Sequence, residues 1–428
     1  MTHPLRLGIA GLGTVGMGVL KILQEKQALL KRRTGRSIEI TAVSARTKDK
    51  DRGMALNEYT WEEDPVKLAQ RDDIDIFVEL MGGQEGPALE ATKTAIARGK
   101  DVVTANKAML AHHGHALALQ SEENGLVIRF EAAVAGGIPV IKSLTEGLAG
   151  NEITRVMGVM NGTCNYILTQ MQATGRGYDA LFKECADLGF LEADPNLDVG
   201  GIDAGHKLSL LSSIAFGTQV NFDKMELEGI QRVELEDIEQ AADMGFRIKL
   251  LGVSQMTERG LEQRMSPCLV PQNSPLGELE GGTNMVVLEG DEVGQIFLRG
   301  AGAGQGPTSS AVISDIVEIA RGTRLNTFGQ PAHTLQKVRS ALSFTPAPYY
   351  IRLSLLDKPG ALAKIATVLG QAGVSIDRMR QYGHEDKIAP VLIVTHETVP
   401  QALDQALLQI PTTGVLDGTP VALRIENV

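Results

Sequence analysis

A short glycine-rich segment near the N-terminus places the strongest constraint on the fold of this 428-residue chain. The apolar run Leu5–Ala10 leads directly into Gly11-Leu-Gly-Thr-Val-Gly16, and apolar residues then recur with helical spacing from Thr14 to Lys31. A strand, a G-x-G-x-x-G turn and a helix in this order are typical of a dinucleotide-binding βα unit. The segment therefore predicts an oxidoreductase that uses a nicotinamide cofactor.

Each position of this turn has a predicted part in holding the dinucleotide. Gly11 permits the tight turn, Gly13 lets the backbone approach the pyrophosphate, and Gly16 lets the helix pack closely on the strand. The pyrophosphate would lie at the helix N-terminus, on free N–H groups and at the positive end of the helix dipole. The alternative is a plain glycine-rich turn. The predicted cofactor-binding residues of the turn are Gly11, Leu12, Gly13, Thr14, Val15 and Gly16.

The second predicted strand, Ile38–Ser44, bears on the choice between NAD and NADP. NAD-preferring enzymes usually carry a carboxylate at the end of this strand, where it binds the ribose 2′-hydroxyl. Here the strand ends without one, and Arg46 follows, with Lys48, Lys50 and Arg52 beyond it. Arg46 is suited to bind a 2′-phosphate, which predicts that NADP is accepted or preferred. The alternative is a solvated basic loop.

Further strand and helix patterns extend this unit into a larger sheet. Ile74–Leu80 and Asp101–Thr104 are typical of buried strands, and Ala88–Arg98 is typical of the helix between them. Alternating strands and helices predict a doubly wound parallel sheet of the Rossmann type. Lys107 follows the carboxyl end of a strand, where ligands of such sheets bind, so we expect it near the cofactor. The alternative is a surface lysine.

A second glycine-rich corner follows the predicted strand Leu126–Val134. Residues 135–139 read Ala-Gly-Gly-Ile-Pro, and Pro139 is placed to open a helix that runs through Leu148. Such a corner exposes backbone carbonyl groups, which can bind a monovalent cation. The residues alone equally allow a tight corner without any ion.

The densest polar segment lies between Leu191 and Lys207, ahead of the apolar helix pattern Leu208–Phe216. Asp203 and Lys207 are four residues apart, so they share one face if this stretch is helical. The alternative is a capping aspartate with a surface ion pair, which stabilises a protein little. Lys207 adjoins an apolar helix, and a charged group there needs a reason for its burial. Cys164 is interpreted as a small buried residue.

Composition excludes several classes of protein. The chain has 41 Lys and Arg residues against 52 Asp and Glu residues, a net charge of −11, which argues against a general nucleic-acid-binding protein. No apolar run is long enough for a membrane span, and the N-terminal residues show no signal-peptide pattern. The three scattered cysteines predict a reducing, cytoplasmic environment. The length predicts two or three domains.

In their order and spacing, these motifs resemble those of the homoserine dehydrogenase family over essentially the whole chain. The resemblance implies a Rossmann domain formed by residues 1–130 and 305–340, a substrate-binding and dimerisation domain over 131–304, and an ACT domain over 349–428. The matching segments are Gly11–Gly16, Thr104–Lys107, Glu131–Pro139, Asn161–Tyr166, Glu192 through Lys207, Gly300–Gly304 and Thr308–Asp315.

The resemblance also implies a reaction, the interconversion of L-homoserine and L-aspartate 4-semialdehyde with hydride transfer to or from NAD or NADP. Lys207 would donate and accept the proton at the substrate oxygen, and Lys107 would be a second essential lysine near that oxygen. Further implied contacts are Glu192, Asp203 and Asp198 for the substrate, Gly189 and Gly304 for the cofactor, and the carbonyl groups of Glu131, Val134, Gly136 and Ile138 for a sodium or potassium ion. Cys164 departs from the family pattern, in which many relatives carry threonine.

Elementary chemistry supports these roles. Oxidation of an alcohol needs a base for its proton, and reduction of the aldehyde needs an acid at its oxygen. A second cation such as Lys107 lowers the pKa of Lys207 towards a useful range, whereas a paired carboxylate raises it. This reasoning favours Asp203 as the partner of the substrate ammonium group rather than of Lys207.

The C-terminal part restarts with its own pattern of strands and helices. The order βαββαβ between Tyr349 and Ile425 resembles an ACT domain, an amino-acid-sensing module whose usual effector site is the turn before its first helix. Asp357 and Gly360 are the effector-site candidates, and the family suggests L-threonine as a feedback inhibitor. Deletion of 349–428 should then preserve activity and abolish inhibition. The alternative is a packing or dimerisation module without a ligand, and we expect a homodimer or homotetramer.

Two other functions compete with this interpretation. A different semialdehyde or hydroxy-acid dehydrogenase would share the cofactor domain, but the segment from Glu192 to Lys207 argues against it. A regulatory amino-acid-binding protein with a vestigial Rossmann unit would lack an intact glycine motif or the two lysines. This chain retains Gly11, Gly13, Gly16, Lys107 and Lys207.

Overall fold

The N-terminal third folds into the predicted alternation of strands and helices. The computed structural model describes residues 3–191, 194–341, 343–381 and 387–427. The strands of this part are β1 (Leu5–Ala10), β2 (Ile38–Ser44), β3 (Thr60–Glu62), β4 (Ile76–Glu79), β5 (Asp101–Thr104) and β6 (Ile128–Arg129). The helices are α1 (Thr14–Glu25), α2 (Gln27–Thr34), α3 (Pro65–Gln70), α4 (Pro87–Ala97) and α5 (Lys107–Glu123).

All neighbouring strands of this first sheet are parallel, in the order β3-β2-β1-β4-β5-β6. This is the predicted doubly wound sheet, and its strand order reverses between β1 and β4, where such folds bind ligands. The turn after β1 is very tight. A Cβ atom at Gly11, which has φ +102°, would lie 2.4 Å from the Leu80 carbonyl oxygen, so only glycine fits there.

The middle of the chain builds a second domain around antiparallel strands. Its helices are α6 (Val140–Lys142), α7 (Gly162–Thr174), α8 (Tyr178–Asp187), α9 (Pro195–Val199), α10 (Ile202–Phe216) and α11 (Leu235–Asp243). Its strands are β7 (Ile153–Val159), β8 (Glu226–Leu227), β9 (Phe246–Thr257), β10 (Gly260–Pro271), β11 (Thr283–Gly290) and β12 (Gly294–Ala301).

Three predicted elements differ from the observed ones. The helix predicted from Thr14 to Lys31 is broken at Lys26, between α1 and α2. The strand predicted from Leu126 to Val134 keeps only β6, because a 3₁₀ turn at Glu131–Ala133 replaces its second half. Side-chain hydrogen bonds hold this corner, since the Glu131 amide donates to Asp315 Oδ2 over 2.9 Å. The helix expected after Pro139 becomes α6 and a π-helical turn at Ser143–Gly147.

Helix α12 (Gln305–Ala320) returns the chain to the first sheet. It packs along α1. Ser309 Oγ donates to the Val15 carbonyl oxygen over 2.9 Å, and Gln305 Nε2 donates to that of Thr14 over 3.1 Å. A segment distant in sequence therefore supports the start of α1, directly behind the glycine-rich turn.

The C-terminal part has the predicted βαββαβ order. Its elements are β13 (Tyr349–Leu356), α13 (Ala361–Gln371), β14 (Ile376–Gln381), β15 (Ile388–Thr395), α14 (Pro400–Gln409) and β16 (Leu416–Ile425). A separate apolar core forms between this sheet and its helices, around Ile351, Leu353, Ile365 and Ile393.

The second and third domains share one long sheet. Its order is β12-β11-β7-β9-β10-β16-β13-β15-β14, and β8 pairs with β10 outside this path. The domains meet where β10 and β16 run parallel, with Cys268 opposite Arg424 and Leu269 opposite Ile425. Among the helices of the described residues, none combines the length and apolar character needed to cross a membrane.

Candidate active site

A cleft of about 670 Å³ lies between the first sheet and the second domain. It is bounded by the carboxyl ends of β4 and β5, the start of α1, and the segments that begin α7, α10 and α12. Its lining includes Val15, Met81, Lys107, Val134, Asn161, Thr163, Phe190, Asp198, Asp203, Lys207, Asn284, Gly304 and Thr308. The two predicted catalytic lysines and two of the predicted substrate carboxylates therefore face one space.

The two lysines meet at a single carboxylate. Lys207 Nζ lies 2.6 Å from Asp203 Oδ2, and Lys107 Nζ lies 2.9 Å from Asp203 Oδ1. Asp203 and Lys207 are one turn apart on α10, whereas Lys107 is the first residue of α5. The sequence argument favoured Asp203 as the partner of the substrate ammonium group rather than of Lys207. The structure pairs Asp203 with Lys207 and brings Lys107 to the other oxygen of the same carboxylate.

Local structure positions both lysines. The Asn106 side chain caps α5 by accepting the Met109 amide over 3.1 Å, and its Nδ2 atom donates to the Gly83 carbonyl oxygen over 2.7 Å. Lys207 Nζ also donates to the Met160 carbonyl oxygen over 2.9 Å. Each ammonium group is thus held at the cleft wall with defined partners.

Asn161 is a site residue that the sequence identified only as part of a turn. Its Oδ1 atom accepts the Cys164 amide over 2.8 Å, which caps α7. Its Nδ2 atom donates to Asp198 Oδ1 over 2.9 Å and to Asp203 Oδ2 over 3.3 Å. One amide group therefore orients both carboxylates. The sequence did not predict this role because Asn161 is distant from both aspartates along the chain.

The electrostatics of the cleft follow from burial and from the two ammonium groups. Burial alone would raise the pKa of Asp203, but Lys207 and Lys107 together hold it well below its usual value, so the carboxylate is ionised. Burial lowers the pKa of the neighbouring His206 to about 4, and its ring packs 4.2 Å from that of Phe222. His206 is thus neutral near pH 7.

A buried glutamate that the sequence did not single out supports the opposite wall. Glu79, at the end of β4, accepts the amides of Met81 and Gly82 over 2.7 and 3.1 Å, and Thr104 Oγ1 donates to it over 2.6 Å. Burial raises the pKa of Glu79, against the effect of these hydrogen bonds. The glutamate shapes the loop after β4 that lines the cleft.

A second cavity, of about 810 Å³, opens on the other side of the glycine-rich turn. Gly11, Leu12 and Gly13 line it, and so does Arg46, which is exposed and has no hydrogen bond or ion pair with another described residue. Arg52 instead donates to backbone carbonyl groups of its own loop, including that of Thr47 over 2.6 Å. Of the two arginines, Arg46 is therefore the one whose guanidinium donors are not taken up by the loop.

The space fits a dinucleotide in two respects. The turn from Gly11 to Gly16 lies between the two cavities, and the first turn of α1 has no side-chain cap on its N–H groups. A Cβ atom at Gly13 would meet nothing within 4 Å, so the backbone is open to a ligand there. Thr14 begins the helix, and Gly16 approaches the Gly11 carbonyl oxygen too closely for any side chain.

The predicted cation-binding residues occupy one buried corner. The Glu131 carboxylate accepts the amides of Ile141 and Lys142 over 2.9 and 3.0 Å. Val134 lines the cleft, Gly136 has φ +55°, and the Ile138 carbonyl oxygen accepts the Val140 amide over 2.8 Å. Within the described parts of the chain, no group of three or more His, Cys, Asp or Glu side chains is arranged to hold a metal ion.

The remaining predicted residues lie outside the described part of the chain, at its surface or in its core. Glu192 lies outside the described residues. Gly189 is exposed at the end of α8, next to Phe190, which lines the cleft. Asp357 and Gly360 form the exposed turn before α13, as predicted. Cys164 is fully buried, and burial raises its pKa far above the usual value, which argues against a nucleophile.

Comparison with known proteins assigns the chain to a family. The family model "Homoserine dehydrogenase" matches residues 139–317, the model "Homoserine dehydrogenase, NAD binding domain" matches residues 11–131, and the ACT domain model matches residues 349–412. The homoserine dehydrogenase of Neisseria gonorrhoeae is 40% identical over 433 residues, which cover 99% of each chain. This chain belongs to the homoserine dehydrogenase family.

Solved homoserine dehydrogenases share the architecture. The crystal structure of the enzyme from Thiobacillus denitrificans has a TM-score of 0.94 and 38% identity, with 99% of each chain covered. A hyperthermophilic archaeal homoserine dehydrogenase mutant in complex with NADPH has a TM-score of 0.63 and 28% identity, over 74% of this chain and 97% of that one. The predicted family, enzyme class and fold, with a nicotinamide-binding domain and a C-terminal ACT domain, are confirmed.

Proposed function

We propose that Lys207 and Lys107 carry the proton chemistry by which this homoserine dehydrogenase interconverts L-homoserine and L-aspartate 4-semialdehyde. The observation that supports it most is the pair of ammonium groups on one carboxylate, 2.6 and 2.9 Å from Asp203, in the wall of the cleft. When bound, a nicotinamide cofactor would supply hydride to the aldehyde carbon, or accept it from the alcohol carbon. Lys207 Nζ donates a proton to the aldehyde oxygen, or removes the hydroxyl proton in the opposite direction.

Lys107 and Asp203 divide the remaining work. The Lys107 ammonium group stabilises negative charge that develops on the substrate oxygen. Asp203 holds both lysines before the substrate arrives, and it then accepts the substrate ammonium group together with Asp198 and Glu192. The incoming ammonium group competes with the lysines for Asp203, which releases Lys207 for proton transfer. The double role of Asp203 therefore reconciles its observed pairing with its predicted contact to the substrate.

Cofactor binding is assigned to both sides of the glycine-rich turn. Gly11 to Gly16 would hold the pyrophosphate at the uncapped start of α1, and Gly189 and Gly304 would contact the cofactor from the second domain. Arg46, exposed in the second cavity, would bind a 2′-phosphate, so we propose that NADP is used at least as well as NAD. Glu63, which lines the same cavity, is the carboxylate that would oppose this preference.

A monovalent cation at the carbonyl groups of Glu131, Val134, Gly136 and Ile138 is part of the proposal. The charge of the corner supports it, because three carboxylates surround two cations. Lys142 Nζ lies 2.5 Å from Asp315 Oδ1, 3.0 Å from Glu318 Oε1 and 3.7 Å from Glu131 Oε2, and Arg129 contributes the second positive charge. Sodium or potassium would balance the excess and fix the wall of the cleft at Val134.

The domain division, regulation and setting are proposed on the same basis. We place the nucleotide domain at 1–130 and 305–340, the substrate domain at 131–304 and the ACT domain at 349–428. The packing of α12 on α1 supports this division. We assign L-threonine to the turn of Asp357 and Gly360 as a feedback inhibitor, a homodimer or homotetramer as the assembly, and the cytoplasmic threonine, methionine and isoleucine branch as the pathway.

A single set of assays tests the function. L-homoserine oxidation is measured with NAD and with NADP, in sodium and in potassium buffers, with and without L-threonine, beside a panel of other hydroxy acids. We expect turnover that is specific for L-homoserine, efficient with NADP and inhibited by L-threonine. Equal activity on other hydroxy acids would overturn the substrate assignment. Efficiency with NAD that exceeds NADP would overturn only the role of Arg46.

A further inference from the structure

A cavity of about 290 Å³ lies at the junction of the ACT domain and the substrate domain, apart from the active-site cleft. Helix α14 forms one wall, and strands β8 and β10 form the other. Its charged lining consists of Glu226, Glu228, Arg264, Asp404 and Arg424. None of these residues lines the cleft, and the catalytic proposal uses none of them.

The base of this cavity carries more positive than negative charge. The buried Glu426 carboxylate accepts hydrogen bonds from Arg155 Nη2, from Arg264 Nη2 and, over 2.5 Å, from Arg424 Nε. A guanidinium group keeps its proton at any pH at which proteins function. Three fixed positive charges therefore share one carboxylate below the cavity.

Arg264 has a hydrogen-bond donor that no described residue accepts. Only 5% of Arg264 is exposed, and its Nη1 atom is buried without a hydrogen-bond partner among the described residues. Its guanidinium group stacks over Phe344, with Cζ 5.9 Å from the ring centroid. A buried charged donor without an acceptor is costly, so a residue in this state at a cavity wall indicates a missing acceptor.

Arg424 provides the contrast. Its Nη1 atom donates to the Tyr349 hydroxyl over 3.2 Å, and its Nη2 atom donates to the Thr345 carbonyl oxygen over 2.7 Å. With Nε on Glu426, its three nitrogen atoms are all engaged. Of the two arginines that line the cavity, Arg264 is therefore the one with an unmatched donor.

The rim of the same cavity is acidic. Glu226 and Glu228 on the strand side and Asp404 on α14 form no ion pair with another described residue. Glu226 and Glu228 are exposed, and the protein packed around them still raises the pKa of both carboxyl groups, which Arg264 partly offsets for Glu226. A cation at the rim would relieve this cost.

We propose that this cavity binds the zwitterionic end of a small free amino acid, with its carboxylate on Arg264 and its ammonium group among Glu226, Glu228 and Asp404. The arrangement selects for a ligand with both charges. A bare dianion would be repelled by the rim carboxylates, and a simple cation would leave the Arg264 donor unmet. The volume, less than half that of the cleft, suits a small ligand rather than a nucleotide.

The strand that carries Glu226 also contacts the catalytic helix. In β8, Leu227 is adjacent to Glu226, and its Cδ2 atom lies only 2.8 Å from the place that a Cβ atom of Gly205 would occupy. Gly205 lies between Asp203 and Lys207 on α10. A ligand that moves Glu226 thus acts one residue away from a tight contact with the helix of the active site.

Binding to the full-length protein tests the proposal. The thermal midpoint and the calorimetric Kd are measured with L-alanine, L-serine and L-threonine. N-acetyl-L-alanine, which lacks the ammonium group, L-alaninamide, which lacks the carboxylate, and inorganic phosphate serve as ligand controls. We expect at least one free amino acid to bind and the three controls to bind at least tenfold more weakly.

Variants locate the binding. Asp404→Asn should weaken it at least tenfold, whereas Asp417→Asn, the same change at another exposed aspartate of the ACT domain, should leave it unchanged. Arg264→Lys keeps a charge for Glu426 but removes the guanidinium fork, and it should also weaken binding. Asp357→Ala removes the carboxylate from the turn before α13 and should leave this site intact.

The outcomes separate this site from the other proposals. Four outcomes would each overturn the proposal. In the first two, none of the three amino acids binds, or D404N and D417N have equal Kd values. In the others, binding is lost only in D357A, or phosphate binds in preference to the amino acids. If Arg264→Lys does not fold, the pair of aspartate variants still decides. Failure of the wild-type protein to oxidise L-homoserine would refute the proposed function and leave this binding result unaffected.

Discussion

The two interdomain junctions are built on the same motif, one carboxylate shared by several cations, and they differ in the cations. At the cleft, Asp203 lies between Lys107 and Lys207. At the ACT junction, Glu426 lies among three arginines. An ammonium group can give up its proton when its surroundings change, whereas a guanidinium group cannot.

Because of this difference, one junction can carry out proton transfer and the other holds two domains together. Asp203 and its lysines face an open cleft, where a substrate can enter and compete for the carboxylate. Glu426 is buried, and its partners come from β7, β10 and β16, so its bonds join two domains. A buried excess of positive charge therefore identifies a catalytic centre only where the cations can exchange protons and a reactant can reach them.

The largest expected effect is at Lys207. Lys207→Ala should lower kcat/KM for L-homoserine by about 10³-fold or more, because a general acid–base contributes about 10²–10⁴-fold. Lys207→Arg should be equally inactive, since it keeps the charge but not the transferable proton. NADPH binding, measured by fluorescence, should persist in both.

An exposed lysine serves as the control for the Lys207 variants. Lys183→Ala, an exposed change on α8, should leave kcat/KM unchanged. Substantial turnover by either Lys207 variant would remove the distinction between the two junctions.

Glu426 should matter for stability. Glu426→Gln leaves buried arginines without their counter-ion, so the free energy of unfolding should fall by about 3–5 kcal/mol at pH 7. The arginines hold the pKa of Glu426 below its usual value, against the effect of burial. Its stabilisation is therefore present above the unfolded pKa of about 4.3 and is lost as the pH falls below it.

Urea denaturation at pH 7 and at pH 3.5 measures this effect. Glu397→Gln, at an exposed position of the same domain, is the control and should differ little from the wild type. A loss in E426Q no larger than in E397Q would show that the arginine cluster does not hold the junction together. Deletion of 349–428 is a poorer test than the sequence suggested, because it exposes the β10 edge as well.

His206, next to Lys207 in the sequence, should have a smaller effect on stability, and this effect should depend on pH. The unfolded chain binds a proton at this residue below a pKa of about 6.5, whereas the folded protein does so only near pH 4. Between these values the unfolded state holds one more proton than the folded state. The free energy of unfolding should therefore decrease as the pH is lowered through this range, by up to about 1.4 kcal/mol per pH unit. His206→Gln should remove this part of the slope, and His333→Gln, at an exposed site, should retain it. Identical slopes in both variants would contradict the assignment.

Arg46 should have the smallest effect, on cofactor choice alone. Arg46→Ala should lower kcat/KM for NADP by about tenfold or more through loss of charge-assisted hydrogen bonds, and change that for NAD by less than about twofold. Lys48→Ala, in the same loop but outside the lining of the second cavity, is the control. Parallel losses with both cofactors would indicate a role in folding of the loop instead.

Local patterns predicted most of the fold, and long-range contacts account for what they missed. Strands β1, β2 and β5 have the predicted bounds because apolar runs and glycines mark them directly. The corner after β6 differed because Asp315, from a distant helix, holds the Glu131 amide. No local signal announces that β16 pairs with β10.

The same limit applies to the candidate site. The spacing of Asp203 and Lys207 predicted their shared face, since four residues make one helical turn. The contact of Lys107 with Asp203 depends on how two domains pack, and the role of Asn161 depends on how α7 packs against α9 and α10 within the second domain. Arg264 carries no motif at all, and its importance appears only when its unmatched donor and its three-dimensional neighbours are known.

The shared sheet is joined at its narrowest point by two residue pairs, Cys268 with Arg424 and Leu269 with Ile425. The long antiparallel pairing of β9 with β10 on one side and of β13 with β15 on the other is far more extensive. Hydrogen exchange should therefore show the Glu426 amide, which donates to the Leu269 carbonyl oxygen across the joint, opening before the amides of the flanking strand pairs. Because Tyr350, Leu392 and Val394 of the ACT sheet pack into the apolar core of the substrate domain, separation along this line would expose part of that core and would be confined to brief openings.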